Sequence, residues 1–329
     1  MKDLKLAQSF SIIALNAQDS RRMTTAKKAS LRCMAAAVIL EGYLDGYFTE
    51  LEKKLVLEKC LIDKSNTTLY QETILKLLFN KNDSLKGDLR WWLAKASNLY
   101  TRHLKKLEKT MADSLKGIDL LEEIPNILGC DLLYKGAGVS IKEYRSNMKE
   151  YTNITENIRA EILEEGSVAD ETIFMIWLLR ESSCLHDIFS KKELETVAIR
   201  INELSESVPI EKILFEISIY HGVEIAVKEF FNIKKNAMKT PTGIGVNFIF
   251  PVIERSQSIF IDTEEWFPSQ KQRLDEVKAR LESCGHEYTV IHDGKVPLIK
   301  IDNIIYEAIA HAIQGKVAIH GVRLRRYVI

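Results

Sequence analysis

At 329 residues the chain is long enough for one large helical domain or two smaller ones. Lysine plus arginine equals aspartate plus glutamate, at 46 each, so a globally basic nucleic-acid-binding protein is not indicated and any anion-binding surface must be a patch. No apolar run reaches the ~18 residues needed to span a bilayer, and the five scattered cysteines, never paired as CxxC, point to a reducing compartment rather than a disulfide framework.

The N-terminus does not read as a signal peptide, so a cytoplasmic protein is expected, with any membrane contact peripheral. The first proline is Pro125, and the residues before it favour helix. Leu4, Ala7, Ile12 and Leu15 recur at helical spacing. A small-residue helix runs from Arg32 to Leu44, and Gly46 ends it. Tyr47 to Glu50 and Leu55 to Leu57 are expected to pair as a hairpin. Thr68 to Phe79 and Asp88 to Lys116 are further helices, the second ending near Gly117. Ser140 and Glu143 have capping-box spacing, as do Ser190 and Glu193. Between those boxes, one helix starts near Asn153 and ends at Gly166. A densely apolar one, with Ile173, Phe174, Ile176, Trp177, Leu178 and Leu179, starts at Asp170. Behind Ser190 a stripe of Leu194, Val197, Ala198, Ile201 and Leu204 follows, and Pro209 opens the last helix of the region.

The character changes after Lys239. The turn-rich Thr240 to Gly245 marks a boundary between a helical domain at 1–238 and a small α/β domain at 239–329. In the latter, Ser258 to Asp262 is β-like and Pro268 to Cys284 is an amphipathic helix stopped by Gly285. Asp293-Gly294 sets a hairpin between Glu287–His292 and Val296–Ile301. Ile304 to Ile313 is expected to be helical, and Val317 to Ile329 extended. Arg323 and Arg325 would share one face of an exposed edge strand. The fold class is therefore mainly α with a small α/β C-terminal unit.

One local asymmetry stands out. Arg21, Arg22, Lys27, Lys28 and Arg32 place five cations in twelve residues with no acid among them. They lie between an apolar opening helix, Leu4 to Asn16, and the small-residue helix Leu31 to Gly46. These two segments, with Asp170 to Leu185 and then Phe189, Ala198, Arg200 and Leu204, give an order of elements that resembles the Golgi phosphoprotein 3 family over roughly residues 1–230. The resemblance implies a non-enzymatic, peripheral membrane adaptor of helical fold that binds a phosphoinositide or another anionic lipid. The family's headgroup arginine falls on Arg32. The basic residues of its later helix fall on His103 and Lys106, with Arg102 adjacent, while Arg22 and Lys28 add field. The tryptophan of the family pocket falls on Met23. The C-terminal α/β unit has no counterpart in the eukaryotic members. An acidic protein meeting the same patch is the alternative partner, and a homo-oligomer is compatible with either. Nucleic acid is not expected.

A phosphate needs converging cations, arginine favoured for bidentate contact. Asp88-Leu89-Arg90-Trp91-Trp92 joins a cation to two aromatics that suit a membrane boundary, but helix packing is the favoured reading, because Leu85, Leu89, Trp92 and Leu93 would share a face. No catalytic motif is visible: there is no HExxH, no Walker lysine and no GxSxG. Cys284 and His286 alone are a weak zinc pair. Neither a cofactor nor a metal is expected.

Overall fold

A computed structural model of the chain describes residues 4–52, 54–58, 67–79, 84–130, 141–207, 214–215, 258–262, 269–313 and 319–327. The expected domain boundary near residue 239 and most of the helix expected after Pro209 lie outside the described residues. The helices of the first part are α1 (Leu6–Leu15), α2 (Thr25–Leu44), α3 (Leu69–Phe79), α4 (Leu89–Ser97), α5 (Thr101–Lys116), α6 (Met148–Leu163), α7 (Asp170–Glu181) and α8 (Lys191–Ser207). Small antiparallel sheets join them: β1 (Thr49–Leu51), β2 (Lys54–Glu58) and β3 (Ser84–Gly87) form one, and β4 (Leu121–Pro125) and β5 (Lys142–Ser146) form another.

The alanine-rich α2 is the central rod of this part. Ala35, Ala36 and Ala37 are fully buried, and their small side chains let α1, α4, α5 and α7 close around it. Thr24 caps it by accepting from the Lys27 amide at 3.2 Å, so the helix starts at Thr25 and the cations Lys27, Lys28 and Arg32 lie within it rather than before it. The expected hairpin forms as β1 and β2, and Ser84 to Gly87 adds a third strand to it. The expected helix Asp88 to Lys116 is broken at Asn98 and Tyr100 into α4 and α5, which lets the α4 residue Trp92 donate to the Leu55 carbonyl at 3.1 Å. The Ser190 capping box forms: the Ser190 amide donates to the Glu193 carboxylate at 2.8 Å and the Glu193 amide to Ser190 Oγ at 3.1 Å.

Glu143 does not cap a helix. It lies in β5, paired with Ile124 of β4, because its carboxylate is drawn inward by the Asn126 amide at 2.6 Å.

The last part is β6 (Ile259–Asp262), α9 (Gln270–Ser283), β7 (Tyr288–His292), β8 (Leu298–Ile301), β9 (Ile304–Ile313) and β10 (Ile319–Arg326). Its five strands form one antiparallel sheet in the order β6-β10-β9-β8-β7. The helix expected at Ile304 to Ile313 is the long strand β9. The reason is local: Ile301 faces Ile304 across a two-residue turn, Asp302-Asn303, with φ of 45° and 79°. Positive φ at both central positions is the type I′ hairpin geometry, which Asp and Asn tolerate best after glycine. Once the chain reverses there, the next residues must pair, and Ile304, Tyr306 and Ala308 alternate into the core. β10 lies between β6 and β9, so Arg323 and Arg325 are not on an edge strand. They do share a face, Arg323 reaching His311 at 2.9 Å and Arg325 reaching Glu307 at 2.8 Å.

Among the described residues there are two apolar cores. One fills the helical part; the other lies between α9 and the sheet, and takes in Ile127 and Cys130 from the 3₁₀ turn after β4.

Candidate functional site

The basic run divides once its side chains are placed. Asp19, two residues upstream of it, takes part of the charge. Its carboxylate accepts from the amides of Arg21 and Arg22 at 2.9 and 2.8 Å and pairs with the Arg22 guanidinium at 2.6 Å. Burial opposes ionisation of Asp19, but these hydrogen bonds overcome it and hold the carboxyl below its ordinary value. Lys27 turns inward: its ammonium lies 2.5 Å from Glu108 of α5 and 2.7 Å from the Asp19 carbonyl. Arg32 is five residues further on, about 140° around the helix at about 100° per residue. It is half-buried and shares the neighbourhood of Cys33 with Glu181 of α7. Lys28 is half-buried on α2, and Met23 packs against the helical core.

The start of α5 holds the other predicted cations together. Arg102 and Lys106 are exposed and His103 is half-buried, with Arg102 Nε donating to His103 Nε2 at 3.1 Å. At about 100° per residue, Arg102, Lys105, Lys106 and Lys109 fall within an arc of about 100°, while Leu104, Leu107, Met111 and Leu115 face the core, fully buried. From Leu89 to Lys109 there are six lysines and arginines and one acid, Glu108. That acid is buried against Lys27, so the outward face is cationic. Exposed aromatics accompany it: Tyr100 is 75% exposed with Arg102 over its ring at 5.9 Å, and Trp91 is 38% exposed with Lys95 over its ring at 4.4 Å. The expected site is therefore split. Arg102, His103 and Lys106 share the α5 face, whereas Arg22 folds back on Asp19 and Arg32 lies on the α7 side of α2. Lys105 and Lys109 complete the stripe; plotting the sequence on a helix would have found them.

A second cluster lies where the two cores meet, and it carries residues that no motif announces. The Asp302-Asn303 turn enters the helical part. Asp302 accepts from Arg145 of β5 at 3.1 Å and lies 2.5 Å from His286 Nδ1. Asn303 donates to the Ser146 carbonyl at 2.8 Å and to Asn16 at 3.2 Å. Ligand-type atoms of Glu143, His286 and Asp302 come within 4.8 Å of one another, the spacing of a small divalent-ion site, and all three residues are buried. Asp302 already bonds Arg145 and His286, and Glu143 accepts from Asn126, so the arrangement works as a hydrogen-bonded tie. Burial, reinforced by the nearby Asp302 carboxylate, pushes the Glu143 carboxyl up to about 8. Cys284 is not part of this group, and its thiol lies by Cys130 instead. Beside the tie, a cavity of about 320 Å³ between α6 and the β8–β9 hairpin is lined by Arg159, His186, Glu193, Lys300, Asn303 and Tyr327, among others.

No protein-family model matches the chain, and no curated protein matches it. Among the described residues, no helix is long and apolar enough to cross a membrane.

Proposed function

We propose that the protein is a non-enzymatic peripheral adaptor that binds anionic membrane surfaces through the start of α5. One observation carries this reading: a single helical face presents Arg102, Lys105, Lys106 and Lys109, and the only acid in that stretch is turned inward to Lys27. Near an anionic leaflet each such cation contributes about 1 kcal/mol. Four cations in one stripe give a weak, salt-sensitive attraction that a few inserted apolar groups make useful. Tyr100, and Trp91 on the preceding helix, are the exposed aromatics suited to the interfacial layer. The resemblance to the Golgi phosphoprotein 3 family supports the same class of function, with Arg102, His103 and Lys106 as the headgroup contacts. Arg32, Arg22 and Lys28 would then act through the field rather than by contact.

Vesicle flotation tests this. Vesicles of phosphatidylcholine with added phosphatidylserine or phosphatidylinositol 4-phosphate should carry the protein upward, and neutral vesicles should not. The triple substitution Lys105→Glu, Lys106→Glu, Lys109→Glu should abolish flotation, because these side chains are exposed and their loss leaves the core intact. Undiminished flotation of that variant would sink the site. Absence of flotation at any ionic strength, with capture of an acidic protein through the same residues, would replace the lipid by a protein partner.

A further inference from the structure

Two cysteines from distant parts of the chain meet at one backbone carbonyl. Cys130 ends the 3₁₀ turn Ile127–Cys130 and is fully buried, with its sulfur 4.0 Å from the Arg280 carbonyl. Cys284 is the C-cap of α9, and its amide donates to that same carbonyl at 3.2 Å. Both side chains belong to the sheet-side core, where the Cys284 thiol lies beside Cys130. We propose that Cys130 and Cys284 form a reversible disulfide under hydroperoxide, fastening the turn after β4 to the end of α9.

The two cysteines divide the chemistry by exposure. Cys284 is half-exposed at the helix end, and Cys130 is sealed behind it. The Cys284 sulfur attacks a hydroperoxide, takes one oxygen to become a sulfenic acid and releases an alcohol, or water from hydrogen peroxide. The Cys130 sulfur then attacks the Cys284 sulfur. The S–O bond breaks, the departing hydroxide takes the Cys130 proton, and water leaves as the S–S bond forms. Burial, with Cys284 beside it, pushes the Cys130 thiol well above its ordinary range, so Cys130 is not the thiol that meets the oxidant first. The remaining described thiols, Cys33 and Cys184, are fully buried in the helical core and out of reach of an oxidant. A link between positions 130 and 284 closes a long loop of the chain, so it restricts the unfolded state strongly.

The test uses the full chain. It is treated with hydrogen peroxide, remaining thiols are alkylated, and the peptides are mapped by mass spectrometry. The expected product is a linked pair of peptides containing Cys130 and Cys284, lighter by two hydrogen atoms and released by dithiothreitol. The melting temperature of the oxidised protein should rise by several degrees, and Cys284→Ser should show neither the link nor the rise. Cys130→Ser should instead leave Cys284 as a sulfenic acid that dimedone traps. The proposal is overturned if Cys284 goes on to sulfinic acid, or forms only intermolecular links, while Cys130 stays alkylatable.

Discussion

Lys27 and Glu108 form an ion pair closed off from water: the ammonium lies 2.5 Å from the carboxylate, and the two side chains are 1% and 8% exposed. Tyr144 adds a hydrogen bond to the same carboxylate at 3.1 Å. The pair joins the first turn of α2 to the middle of α5, and it keeps Glu108 off the exposed face of α5. Removing one partner strands the other charge in the core, which costs about 3–5 kcal/mol. Lys27→Met and Glu108→Leu should therefore each destabilise the fold by that amount in urea titrations. The double variant should recover most of the loss, since an apolar pair of similar volume needs no compensation. Equal, additive losses would mean that the two side chains do not depend on each other.

The α5 stripe makes a quantitative prediction about salt. Removing Lys105, Lys106 and Lys109 takes away about 3 kcal/mol of surface attraction, or about a hundredfold in vesicle affinity. The wild-type protein should lose affinity steadily as ionic strength rises past the point where the screening length is ~10 Å. The triple alanine variant should show a much flatter salt dependence. Substituting Arg32 by lysine should leave affinity within a factor of a few, because Arg32 lies around the helix from α5. A large loss on Arg32→Lys would restore Arg32 as a direct contact. Tyr100→Ala should weaken binding without changing the salt slope.

The Asp302-Asn303 turn couples the two cores through side chains as well as through the strands it connects. Asp302→Ala leaves the buried His286 ring and the Arg145 guanidinium without their shared partner, so a loss of about 3 kcal/mol is expected. Asp302→Asn keeps the turn preference and one acceptor oxygen and should cost about 1 kcal/mol. Thermal unfolding measures both. A loss below 1 kcal/mol for the alanine variant would show that the His286–Asp302–Arg145 tie adds little.

The local elements were largely legible, because apolar spacing and caps are short-range signals. α1, α7, α9 and the Ser190 box follow from residues within a turn of each other. β9 was not, since Ile304 to Ile313 fits both a helical and a strand period, and the deciding signal was the pair Asp302-Asn303 just before it. Glu143 reads as a capping residue from its spacing to Ser140, and only the distant Asn126, Asp302 and His286 make it a buried strand residue. The candidate site was half legible for the same reason. Sequence shows where cations cluster, but Lys27 is neutralised by Glu108 far along the chain, and Arg22 by Asp19 on a turn the run itself does not include. The α5 stripe is legible in helical projection, because Arg102, Lys105, Lys106 and Lys109 recur at the spacing of one helix face.

Two buried carboxyls give the fold a pH dependence of definite sign. Burial lifts Glu41, which accepts from the Ala7 amide, Tyr70 and Gln71, from an ordinary 4.5 to about 7. Burial with Asp302 nearby lifts Glu143 from the same value to about 8. In each case the folded protein holds a proton that the unfolded chain releases above ~4.5, so raising the pH favours unfolding. Stability should be greatest near pH 5 and fall through pH 7 and 8 by up to about 1.4 kcal/mol per unit for each carboxyl still titrating, then level off. The lowered Asp19 carboxyl acts oppositely, but only below its ordinary 3.8, outside this window. Glu143→Gln should reduce the slope from about pH 5 through 8, and Glu41→Gln should reduce it from about pH 5 through 7. Both should be close to neutral at the acid end, where the native carboxyls already carry their protons. Unfolding free energies measured across pH 5 to 9 would refute this assignment if wild type and Glu143→Gln ran parallel.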